Sequence, residues 1–106
     1  MRIPSKFVLF GETITIEFDD DLSAKNDSFG EADFKNAKIT LQSPREGVAC
    51  ESKIEETFYH EFTHMLLDKL AYNDLNTDEK VVTAIGGLIH QFFITAVFEE
   101  INPPQP

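Results

Sequence analysis

The chain predicts an α+β fold, a small antiparallel or mixed sheet of about three strands packed on two long helices. Three features lead there: period-two, β-branched runs in the N-terminal third, two later segments with apolar residues every three or four positions, and a polar break between those segments. A chain of 106 residues buries roughly 65% of its extended surface, enough for one domain, here expected over residues 1–101 with a Pro-rich tail at 102–106.

Lys6–Phe10 and Glu12–Phe18 carry the strand signals, and Thr13-Ile14-Thr15-Ile16-Glu17-Phe18 alternates polar with apolar. Gly11 between them predicts a hairpin turn. Asp19–Asn36 is polar and predicts a surface loop; its Asp19-Asp20-Asp21 run lacks the glycine and glutamate spacing of an EF-hand. Ala37–Gln42, with Ile39 and Leu41 on one face, predicts a third strand. Ser43-Pro44-Arg45-Glu46 reads as a capping box, so the first long helix is expected from Pro44 or from Glu51. Ile54, Phe58, Phe62, Met65 and Leu66 make Glu51–Ala71 strongly amphipathic, and Tyr72–Asn76 ends it. Thr77 is the expected cap of a second helix running to about Glu100, with Asp78 and Glu79 at the positive end of its dipole. Val82, Ile85, Ile89, Phe92, Phe93 and Ala96 predict its core-facing stripe.

Nine Lys plus Arg against nineteen Asp plus Glu give a net charge of -10, which repels phosphate backbones and anionic headgroups; neither nucleic acid nor membrane is an expected partner. Val81–Phe98 is interrupted by Thr83, His90, Gln91 and Thr95 and is no membrane span, and the apolar run near Met1 is too short for a secretory leader. One cysteine, Cys50, forms no internal disulfide; it is expected as a small buried side chain, and the chain as cytoplasmic.

The chemistry concentrates in His60-Glu61-Phe62-Thr63-His64. Residues four apart on a helix differ by about 40° and one turn, so both imidazoles can converge on one ion, half of a tetrahedral zinc site. Glu61 then stands beside the ion, positioned to take a proton from water. The flanking Phe58, Tyr59, Phe62, Met65, Leu66 and Leu67 shield these polar groups, a costly arrangement without an ion to pair them. Glu79 is the best third ligand, because it opens the second helix after a short connection and Gly86-Gly87 allow the two helices to approach closely. His90 is the rival, about 16 Å further along the helix and otherwise expected as a satisfied core-edge histidine; Asp74 and Asp78 are lesser ones. Tyr72, Tyr59 and His90 are candidate oxyanion donors, and the role stays unassigned.

This organisation resembles the HExxH zinc metallopeptidases, particularly the minigluzincins and similar phage-encoded proteins of about one hundred residues. The resemblance implies a minimal zincin-like domain with His60, His64 and Glu79 on zinc and Glu61 as general base and acid. It also implies that the strand Ala37–Gln42 borders the cleft, where a peptide substrate adds to an exposed edge. Leu67 and Leu70 stand where a metzincin would continue its motif, which excludes that class. The leading expectation is a zinc-dependent peptidase. The alternative is a zinc-stabilised binding or regulatory module, or a latent peptidase covered by its 102–106 tail; a metal-free interaction protein is the third reading.

Overall fold

A computed structural model describes residues 1–104. Four strands and four helices follow in the order β1 (Lys6–Leu9), β2 (Glu12–Asp19), α1 (Leu22–Asn26), β3 (Gly30–Asp33), β4 (Lys38–Gln42), α2 (Glu51–Lys69), α3 (Asn73–Asn76) and α4 (Glu79–Thr95). The α+β fold of a small mixed sheet with two long helices is therefore as expected, with one strand more. Strand order is β1-β2-β4-β3: β1–β2 and β3–β4 are antiparallel, and β2–β4 is parallel, with Ile16 opposite Ile39 and Phe18 opposite Leu41.

One sheet face lies on α2, and α4 packs on α2 in turn. Ile14, Ile39 and Leu41 from the strands meet Ile54, Phe58 and Met65 from the helix in the buried core. Phe7 closes one side, edge-on to Phe58 and Phe62 at ring separations of 6.1 and 5.2 Å. Gln42 is fully buried and satisfied: its Nε2 donates to the carbonyls of Asp20 and Ser43, and its Oε1 accepts from the Ser23 N–H, tying α1 to β4.

The expected Asp19–Asn36 loop instead holds α1 and β3. Gly-Glu-Ala-Asp has no β-branched or aromatic residue, and at its first position β3 runs so close to α2 that only glycine fits. A Cβ on Gly30 would lie 2.6 Å from Thr57 Cγ2 and 3.2 Å from Glu61 Cγ. The edges of the sheet are thus β1 and β3, and Ala37–Gln42, expected at the cleft border, lies between β2 and β3.

α2 starts at Glu51, since Gly47 at φ +78° turns the preceding residues into a closed loop with paired Arg45 and Ala49 backbones. Cys50 occupies the N-cap position and is exposed, correcting its expected burial. Asp78, not Thr77, caps α4, accepting from the Lys80 and Val81 N–H groups; the Thr77 hydroxyl donates back to the α3 carbonyls of Asn73 and Asp74. α4 stops at Thr95, short of Glu100. Toward that end its packing on α2 thins out: Phe93 stacks on Tyr59 but remains 41% exposed and Phe92 is exposed, while Val82 is buried. The expected tail has no regular structure through Pro104, and its residues 105 and 106 lie outside the described residues. Among the described residues no helix is long and apolar enough to cross a membrane.

The α2–α4 crossing depends on Gly86, whose ideal Cβ would sit 3.0 Å from the backbone of Tyr59 and His60, whereas a Cβ on Gly87 meets nothing. Gly86→Ala is expected to lower stability by about 1–3 kcal/mol as the helices are forced apart. Gly87→Ala should raise it by about 0.5–1 kcal/mol through helix propensity. Urea unfolding of the two variants gives opposite signs if this crossing is correct.

Candidate metal centre

α2 presents His60 and His64 on one side, one turn apart, with ring centroids 5.0 Å apart. The antiparallel return of α4 sets its first residue against them. Glu79 Oε2 lies 3.1 Å from His60 Nε2, and Oε1 lies 3.2 Å from His64 Nε2. Zinc ligands at 2.0–2.1 Å in a tetrahedral arrangement are about 3.3 Å apart; the two imidazole–carboxylate separations are close to that, and all three ligand atoms lie within 4.8 Å of one another. The donor set, two imidazoles and a carboxylate, also suits zinc. These are the only described His, Cys, Asp or Glu side chains that gather three potential ligand atoms within 4.8 Å.

The turn between the helices supplies a further group. Ala71 at φ +58° reverses the chain after α2, and the single turn α3 then carries Asn76 back over His64, with Asn76 Oδ1 2.6 Å from His64 Nδ1. A carbonyl oxygen only accepts, so Nδ1 carries a proton in this contact and Nε2 is the nitrogen turned toward Glu79. Asn76 was invisible to motif reading, where it counted only as part of a helix break. The signal that finds it is the need of a ligating histidine for a carbonyl partner. Asn76→Ala is expected to weaken zinc binding 10–100-fold while leaving the far-UV circular dichroism unchanged, measured by chelator competition.

Burial, reinforced by the neighbouring His64, pushes the His60 pKa down against the opposing pull of Glu79, and this favours the neutral imidazole that binds metals. Glu61 is 8% exposed, lies beneath Gly30 and lines the cleft. Burial raises its carboxyl to about 7, with His64 opposing and Glu79 and Glu31 adding to the rise. A cation beside it would pull it back down.

These groups line an open cleft of about 790 Å³ between β3 and the α2–α3–α4 end of the molecule. Its charged lining residues are Glu31, Glu61, Asp68 and Glu79, with neither Lys nor Arg, a negative field that favours a cation. The described tail does not contribute to this lining.

The rival ligands lie elsewhere. Asp74 and Asp78 do not join the cluster, and His90 stacks on Tyr59 at a ring separation of 5.3 Å. Contrary to expectation His90 is not satisfied: its buried Nε2 has no hydrogen-bond partner and stands 3.9 Å from Glu55. None of Tyr59, Tyr72 and His90 lines the cleft, so none is placed as an oxyanion donor. Compared with protein-family models, curated proteins and solved structures, the chain finds no match.

Proposed function

We propose that the protein is a zinc-dependent peptidase of minimal size, similar in its site to the HExxH metallopeptidases. The observation that carries this reading is the convergence of His60, His64 and Glu79 beside a buried carboxylate, Glu61, that belongs to none of the ligand contacts. When bound, zinc supplies Lewis acidity that polarises a carbonyl and lets water ionise near neutral pH. His60, His64 and Glu79 would hold it, with Asn76 fixing the His64 ring. Glu61 takes a proton from water as the water oxygen bonds to the carbonyl carbon. It returns that proton to the amine nitrogen as the C–N bond breaks. β3, a sheet edge against Thr57 and Glu61, is the strand an extended peptide would join, displacing the Ser28 hydroxyl that holds the Gly30 N–H and C=O. A reducing, cytoplasmic setting suits the exposed, unpaired Cys50.

The test is incubation with zinc and an unstructured polypeptide, with and without a chelator. Cleavage abolished by the chelator is the expected result; a chain that binds zinc and cleaves nothing sinks the peptidase reading. That outcome favours a zinc-stabilised binding module, a reading supported by a cleft lined by none of the expected oxyanion donors.

A further inference from the structure

The cleft that holds the candidate metal centre carries four carboxylates, and three of them already have a place in the structure. Glu79 reaches both histidines, Glu61 is buried beside them, and the Glu31 carboxylate accepts from Asn26 Nδ2 at 3.0 Å. Asp68 is the fourth. It lines the cleft half-buried and joins none of the ion pairs among the described residues, while the lysine beside it, Lys69, is turned to Glu12 on β2. Its position is also unfavourable for the helix. Asp68 stands in the last turn of α2, where the negative end of the dipole disfavours an acid and favours a cation. Helix stability thus gives no reason for a carboxylate here, whereas a cationic side chain brought into the cleft gains from the acid and the dipole together.

We propose that Asp68 sets the substrate class as basic peptides, by receiving a lysine or arginine side chain that adjoins the scissile bond. The inference rests on the peptidase reading and deepens it. Asp68 follows His64 by four residues, so it lies on the same side of α2 and about 6 Å further along the helix, within reach of a long cationic side chain on a peptide held at the metal centre. Phe34, partly exposed, lines the same cleft and offers an apolar surface to the aliphatic stem of such a side chain. No lysine or arginine of the protein lines the cleft to compete for Asp68. A divalent ion at the centre offsets only part of the charge of four carboxylates, so the cleft stays negative with the metal in place. A glutamate or aspartate brought to the same position meets Asp68 as a like charge and is rejected. The net charge of -10 steers basic peptides toward the molecule in the first place.

The test uses the zinc-loaded full chain. Mass-spectrometric mapping of cuts in an unfolded polypeptide should find lysine or arginine within one or two residues of most scissile bonds. For peptides built on one such site, kcat/KM should be about 10–100-fold higher with lysine than with leucine at that residue, and lowest with glutamate. Asp68→Asn should erase the advantage of lysine over leucine while leaving the leucine peptide, the zinc stoichiometry and the far-UV circular dichroism unchanged. Asp68→Lys should make the glutamate peptide the better substrate. Equilibrium binding of the lysine peptide to the Glu61→Gln chain, read by fluorescence anisotropy, should weaken about 10–100-fold when Asp68→Asn is added. The thermal midpoint of Asp68→Asn should equal or exceed that of the parent, because the acid opposes the α2 dipole; an acid with a purely structural role would lower it on removal. A parent that cleaves the leucine or glutamate peptide as fast as the lysine one, or a lysine preference that survives Asp68→Asn, overturns the inference and leaves the peptidase reading standing. A chain that cleaves no polypeptide removes both.

Discussion

Glu61→Gln is expected to cut hydrolysis of an unstructured polypeptide by roughly 10²–10⁴-fold while the chain still binds one zinc. Glutamine keeps the shape and a carbonyl oxygen beneath Gly30 but cannot take a proton from water. His60, His64 and Glu79 are untouched by the change, so metal content measured by atomic absorption should equal that of the parent. Since burial disfavours the charged form of Glu61, removing its charge should leave the thermal midpoint the same or higher. The loss should fall on kcat and leave KM nearly unchanged, as for a group that acts in the transition state. A variant that cleaved at the parental rate would remove Glu61 from the mechanism.

Zinc itself should change stability by the largest amount. Free metal at 100 times its dissociation constant stabilises a folded site by about 2.7 kcal/mol. For a domain near 100 residues each kcal/mol shifts the melting point by about 4–8 °C, so zinc should raise it by about 10–20 °C and a chelator reverse the rise. His60→Ala, His64→Ala and Glu79→Ala should each abolish most of that rise, because each removes one atom from the cluster. Asp74→Ala and His90→Ala should retain it. Asp78→Ala should retain it too, although losing the α4 cap costs about 1 kcal/mol with or without metal. Differential scanning fluorimetry of this series identifies the third ligand. If Glu79→Ala keeps the zinc response and His90→Ala loses it, the cluster is the wrong one.

The parts of this molecule that sequence reveals are those with a strong local period. β1, β2, β4, α2 and α4 each announce themselves through alternation or a helical stripe, and the His60–Glu61–His64 spacing needs only helix geometry to be read. β3 does not, since the tight approach to Thr57 and Glu61 imposes glycine, a poor strand former. The parallel seam between β2 and β4 is likewise a non-local fact. Phe92 and Phe93 fit the helical stripe as well as Val82 does, yet Phe93 only stacks on Tyr59 with part of its ring in water and Phe92 faces solvent, an outcome the stripe alone does not decide. Asn76 becomes meaningful once the left-handed Ala71 has turned α3 over His64.

The seam between β2 and β4 also sets the order of assembly. β1–β2 and β3–β4 are hairpins whose partners are near neighbours in the chain, so each closes in microseconds with little loop entropy to overcome. Joining them through Ile16–Ile39 and Phe18–Leu41 requires the whole excursion from Asp19 to Lys38 to be in place first, with Gln42 already holding α1. The seam is the least local pairing of the sheet, so substitutions at Ile16 or Ile39 should retard refolding, followed by stopped-flow fluorescence, more than those at the hairpin tips.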